Sequence, residues 1–273
     1  MASPLDFLVV FLAGLVTALA TGLGAAPFFV VDEVGDRWNV ALWGLASGIM
    51  LSASVFGLLE EGRKYAGYLG GPLDLVVGGL VGVALVVVAH RVISGHEFTP
   101  RELAEADVRK LVLVLGVLTV HSFPEGVAIG VAFAELALGT GTGVDVVGYG
   151  IPVLAVFMTV AISIHNIPEG VAISIPLATL EQSRWRMVGA AVFSSLPQPI
   201  GAVVAFGFVV VARNLLPMGF GFAAGAMIYL VLTEFIPEGL ETGEGLPGNG
   251  HRELATGLVA GVLVMVPLLF VPT

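Results

Sequence analysis

The chain has no cysteine, which excludes both a disulfide framework and a thiolate metal site. Any metal ion must be held by His, Asp, Glu, Met, amides or backbone. Charge is also scarce: 12% of the 273 residues are Asp, Glu, Lys or Arg, against roughly 25% in soluble domains. With 57% hydrophobic residues and a mean hydropathy of +1.00, the composition is that of a bilayer-embedded protein. Lysine occurs only at 64 and 110, and 21 acidic residues outnumber 11 basic ones, which argues against a nucleic-acid partner. The first apolar run lacks a basic leading segment and is longer than a signal-peptide core, so it is expected to be a retained membrane helix.

A spanning helix needs about 20 mostly apolar residues. Eight runs qualify: Leu5–Val30, Val40–Leu59, Gly71–Ile93, Leu111–Leu138, Gly150–Leu180, Met187–Ala212, Pro217–Ile236 and Leu254–Val271. The expected fold class is an all-α membrane protein forming one domain over residues 1–273. The longest polar interruption, 94–110, reads as a cytoplasmic loop with a lone His96. Connections 1–2, 3–4, 5–6 and 7–8 carry eight Arg or Lys, whereas 2–3, 4–5 and 6–7 carry three. The positive-inside rule then puts both termini outside the cell.

Polar residues inside these runs carry the functional signal. His121-Ser-Phe-Pro-Glu-Gly-Val-Ala-Ile129 recurs as His165-Asn-Ile-Pro-Glu-Gly-Val-Ala-Ile173, with seven of nine positions identical. Ionisable groups at membrane depth are costly and mark sites for charged cargo. His121 and Glu125, like His165 and Glu169, are four apart and share a helix face. Two imidazoles and two carboxylates at one depth suit Zn²⁺, Fe²⁺ or Mn²⁺, with Ser122 and Asn166 as neighbouring oxygen donors. Pro124 and Pro168 each remove a backbone donor, so each helix is expected to kink and free a carbonyl. The glycine after each Glu leaves room for close helix approach or for a cavity.

A second internal similarity joins Gly44-Leu-Ala-Ser-Gly-Ile-Met50 to Gly221-Phe-Ala-Ala-Gly-Ala-Met227 and runs on to Glu61-Gly62 against Glu238-Gly239. Six of nineteen positions match at an offset of 177. The copies lie five helices apart in chain order, an odd step, so they run in opposite directions, the sign of an inverted repeat. A 3+2+3 plan follows, with helices 4 and 5 in the middle. Gly78-x-x-x-Gly82 and Gly257-x-x-x-Gly261 are small-residue faces for either a dimer or the bundle itself. Glu234 is read as part of a polar cavity near the cytoplasmic end of helix 7, where Glu238, Glu241, Glu244 and His251 could receive departing metal. Glu60 and Glu61 could concentrate cations at the outer mouth. Asp74 and His90 are read as interfacial.

The paired His-x-x-Pro-Glu-Gly segments resemble the hallmark of the ZIP (Zrt-/Irt-like protein) family, nearest its prokaryotic branch. The resemblance covers essentially the whole chain. It implies a secondary transporter that brings divalent cations into the cytoplasm by alternating access, Zn²⁺ first, with Fe²⁺, Mn²⁺ and Cd²⁺ as other candidates. It also implies a plasma-membrane location, a homodimer, and no prosthetic group beyond the transported metal ion. Helices 1, 4, 5 and 6 would move against helices 2, 3, 7 and 8. The implied primary ligands are His121, Glu125 and Glu169, joined by Met50, with His165 on the exit path. The chain departs from the family at Ser122, Asn166 and Gln198. These are neutral where relatives often build a second metal site, so one tightly bound ion per protomer is expected. A metal-selective channel is the alternative. An intramembrane metalloenzyme is disfavoured, because His-Glu-x-x-His is absent and the spacing is not the Glu-x-x-His of di-iron bundles.

Overall fold

The computed structural model describes residues 2–65, 67–95, 121–139, 143–146 and 149–269. The described chain is α-helical apart from one short hairpin. In chain order the elements are α1 (Pro4–Leu23), α2 (Asp36–Gly62), α3 (Pro72–Gly95), α4 (121–132, continued as Ala134–Leu138), β1 (Gly143–Val146), β2 (Tyr149–Pro152), α5 (Val153–Thr179), α6 (Arg184–Val211), α7 (Arg213–Thr242) and α8 (His251–Leu269). Six of these, α1, α2, α3, α5, α6 and α7, are long and apolar enough to cross a membrane among the described residues. Residues 111–120 of the expected fourth span and 96–110 of the expected loop, with His96, lie outside the described residues; α3 takes in 94 and 95.

Local sequence sets the helix ends. Ser3 opens α1 with a capping box: its hydroxyl accepts from the Asp6 amide at 3.2 Å, and its own amide donates to Asp6 Oδ2 at 2.5 Å. The first apolar run extends to Val30, but α1 stops at Leu23; Gly24 caps it, and a tight turn over Ala26–Phe29 follows. Gly139 closes α4 in the left-handed conformation at φ +69°. The antiparallel hairpin after it was not expected from the sequence. Val146 pairs with Tyr149 at its tip, and the Tyr149 hydroxyl donates to Asp6 at the start of α1. α5 runs through Pro168 and Pro176 as one helix.

Glycine decides which helices interlock, because in a membrane the backbones must approach closely for van der Waals packing to hold them. A Cβ added at Gly78 or Gly82 of α3 would lie 2.1 or 2.2 Å from the carbonyl oxygens of Met218 and Phe222 on α7. One added at Gly257 or Gly261 of α8 would lie 2.1 or 2.3 Å from those of Ala41 and Leu45 on α2. Both small-residue faces are therefore used inside the bundle. The two contacts also repeat each other. Gly44 and Gly48 of α2 meet Leu254 and Leu258, while Gly221 and Gly225 of α7 meet Leu75 and Gly79. An offset of 177 carries the α2 residues onto α7, and one of 179 carries the α3 residues onto α8. α2 and α7 also turn π-helical at corresponding places, Ala53–Leu59 and Val231–Phe235. α1 packs on α5 and α6, and α5 also contacts α2.

Candidate metal centre

The two central motifs are buried as the sequence implies: His121, Ser122, Glu125, His165, Asn166 and Glu169 are all in the interior. The ligand sets, however, are divided differently from the repeat. Glu125, His165 and Glu169 form one group, each offering a ligand atom within 4.8 Å of the others. His165 Nε2 lies 3.4 Å from Glu125 Oε1. His121 is placed in a second group, with His90 of α3 and Glu234 of α7, where His90 Nε2 lies 3.1 Å from Glu234 Oε1.

Helix direction explains the division. α4 and α5 are joined by a hairpin and run antiparallel, so the His preceding each Glu falls on opposite sides of the carboxylate pair. His165 therefore reaches Glu125 across the helix pair, and His121 is directed toward His90. His90, read as interfacial, is thus a member of a cation-capable cluster. Asp74, read the same way, is buried and accepts from the amides of Leu69 and Gly71, both at 3.0 Å.

The first, or upper, group of Glu125, His165 and Glu169 has open valences, as does the second, or lower, group of His121, His90 and Glu234. Both oxygens of Glu169, Oε1 of Glu125, both ring nitrogens of His165 and Oδ1 of Asn166 have no hydrogen-bond partner among the described residues. In the lower group the same holds for His121 Nδ1. Buried polar atoms are nearly always satisfied, and a buried carboxylate with unsatisfied oxygens beside a second one is especially costly. A dication would supply the missing partner for both, with an N/O donor set that zinc accepts.

The remaining oxygen of Glu125 is held by protein. Gln198 of α6, fully buried, donates from Nε2 to Glu125 Oε2 at 2.5 Å. Its Oε1 accepts from Thr17 Oγ1 at 2.7 Å and from Asn166 Nδ2 at 3.0 Å. Asn166 Nδ2 also reaches the Thr17 carbonyl at 2.8 Å, and the hydroxyls of Thr21 and Ser195 meet at 2.7 Å. The network joins α1, α4, α5 and α6. Sequence reading missed Thr17 and Thr21; their i, i+4 spacing in an apolar helix was the available signal. The motif glycines serve close approach: a Cβ at Gly126 would lie 2.2 Å from the Gln198 carbonyl, and one at Gly170 would lie 1.9 Å from that of Thr21.

The remaining sequence candidates come from α2 and from the end of α7 onward. Met50 is buried on α2 within the main apolar core. Glu238, Glu241 and Glu244 are exposed, and so is His251, whose Nδ1 is 2.9 Å from the Gly248 carbonyl. At the other end of the bundle, Glu60 pairs with Arg63 at 2.9 Å and Glu61 with Lys64 at 2.8 Å.

Comparison with known proteins points to one family. Residues 94–269 match the sequence model of a family described as ZIP Zinc transporter. The chain is 35% identical to zinc transporter ZIPB of Bordetella bronchiseptica over 262 residues, covering 93% of this chain and 78% of that protein. It is 31% identical to zinc transporter GufA of Myxococcus xanthus over 271 residues, covering 94% and 97%. A putative zinc transporter of Arabidopsis thaliana is 37% identical over 225 residues, which are 82% of this chain but only 33% of the longer plant protein.

Proposed function

The chain belongs to the ZIP family, and from that premise we propose that it carries Zn²⁺ inward by alternating access, binding it between Glu125, Glu169 and His165. It is a multi-pass membrane transporter of divalent metal, zinc in its relatives, and not an enzyme. The observation that carries the site assignment is the group of three buried side chains whose ligand atoms lack hydrogen-bond partners among the described residues.

In this reading a hydrated dication arrives from outside, sheds water to the two carboxylates and His165, and is then passed to His121, His90 and Glu234. α4 runs from the cytoplasmic side outward, so His121 lies inward of Glu125; α5 runs the other way, so His165 lies outward of Glu169. That order favours His121, rather than His165, as the exit-side imidazole. On the outer side of His165, Phe157 and Met158 are buried, and a Cβ at Gly57 would stand 3.0 Å from the Phe157 ring. An outward-open state must part this apolar contact.

Eight helices in a 3+2+3 inverted repeat are part of the proposal. The repeated glycine contacts and the paired π-helical turns support it. Two moving units fit the same pattern. The Gln198 network ties α1, α4, α5 and α6 together, and glycine contacts lock α2 to α8 and α3 to α7. The basic residues of the cytoplasmic connections support outward termini. The family resemblance supports a homodimer in the plasma membrane.

One ion at the Glu125–Glu169 pair follows from charge. A second dication would have only Glu125 and Glu169 to share, because Ser122, Asn166 and Gln198 are neutral. About two positive charges would remain uncompensated where the dielectric is low. Binding should weaken as pH falls, because the ligands must be deprotonated. Saturable ⁶⁵Zn²⁺ uptake into proteoliposomes, competed by Fe²⁺, Mn²⁺ and Cd²⁺, tests the reading. Glu125→Ala and Glu169→Ala should abolish it; unchanged uptake by either variant rejects the site.

A further inference from the structure

One buried ring touches both cation-capable groups. Phe235 of α7, 1% exposed, stacks on His165 of the upper group with centroids 5.2 Å apart and planes at 19°. The same ring meets His121 of the lower group at 6.2 Å and 61°. Behind it stands Trp43 of α2, at 5.3 Å and 46°. Phe235 ends the π-helical turn Val231–Phe235, and its neighbour in that turn, Glu234, reaches His90. Such wide turns concentrate at functional sites because they re-aim side chains that a regular helix would turn away. Here the turn gives one carboxylate to the lower group and sets one phenyl against an imidazole of each group.

The ring therefore does two things. Stacked or edge-on aromatic contact favours particular imidazole planes. An apolar ring wedged between an inner and an outer imidazole also offers a passing dication no ligand, with its face already covered by His165. Phe235 belongs to α7, while the imidazoles it touches are on α4 and α5. Any displacement of those two helices against α7 must loosen both contacts.

We propose that Phe235 is the partition between the two cation sites and sets the rate at which a bound ion moves from the upper group to the lower one. The inference rests on the proposed zinc site at Glu125, His165 and Glu169. The test uses the full chain in lipid nanodiscs, loaded with Zn²⁺ and mixed rapidly with excess chelator. Release is followed with time, and bound zinc and the thermal unfolding midpoint are measured separately. Losing both imidazole contacts in Phe235→Ala should speed release on the order of tenfold, with zinc bound at saturation still one per protomer and the unfolding midpoint lowered by the loss of a buried ring. Phe235→Leu, which keeps bulk but not the flat ring, should fall between. Release within twofold of the unsubstituted chain in both variants would overturn the inference. So would loss of zinc binding in both, since the ring would then be only structural support. An unsubstituted chain that binds no zinc would overturn the proposed function together with it, whereas normal binding with unaltered release overturns this inference alone.

Discussion

Replacing Gln198 by Leu asks how much the site depends on a neutral amide. Gln198 Nε2 is the donor that holds Glu125 Oε2, at 2.5 Å. The other groups in the network keep alternatives: Thr17 Oγ1 is also 2.8 Å from the Gly14 carbonyl, and Asn166 Nδ2 also reaches the Thr17 carbonyl at 2.8 Å. The loss therefore falls on Glu125. A hydrogen bond to a charged group is worth about 1.5–3 kcal/mol. An outer partner of a metal ligand typically accounts for 10–100-fold in affinity, an effect of about the same size. Equilibrium ⁶⁵Zn²⁺ binding to the purified Gln198→Leu chain should therefore weaken by roughly 10–100-fold. Gln198→Glu should act differently. It sets a second carboxylate against Glu125, an arrangement that needs a shared proton or a second cation. Bound zinc should rise from one toward two per protomer. Gln198→Leu affinity within twofold of the unsubstituted chain, together with no gain of metal by Gln198→Glu, would refute the reasoning.

The two histidines of the repeat should separate by assay. His165→Ala should weaken equilibrium zinc binding by at least the roughly 10–100-fold typical of losing an outer partner, while His121→Ala should mainly slow uptake; equal losses of affinity would contradict the division into two groups. Glu234→Gln should leave the affinity of the upper group within a few-fold and lower the maximal uptake rate in proteoliposomes. Gly78→Ala, whose Cβ would stand 2.1 Å from the Met218 carbonyl, should cost about 1–3 kcal/mol by overpacking, seen as a lower melting temperature in detergent. Gly189→Ala is the control, because nothing lies within 4 Å of its added Cβ.

Much of the site could be read from the chain because membrane burial makes a polar residue conspicuous. His121, Glu125, His165 and Glu169 are duplicated within apolar runs, and the neutral Gln198 stands out against the family pattern. The pairing of ligands could not be read, because it depends on helix direction and rotation rather than on spacing. The i, i+4 rule joins His121 to Glu125 along one helix, whereas the folded chain joins His165 to Glu125 across two. His90 was missed for a related reason. Position in α3 suggested the membrane interface, and only packing against α7 brings it to Glu234. The π-helical turn that sets Glu234 and Phe235 leaves no mark in the apolar pattern of α7. The glycine faces were visible, but their partners were settled by the close approach of α2 to α8 and of α3 to α7.

The central claim, a single dication held by Glu125, Glu169 and His165, is tested most directly by anomalous diffraction at the zinc edge from crystals of the full chain grown with Zn²⁺. One fully occupied peak per protomer, within bonding distance of those three side chains, is the expected result. Two fully occupied peaks flanking Glu125 and Glu169, or no peak between them, would contradict it.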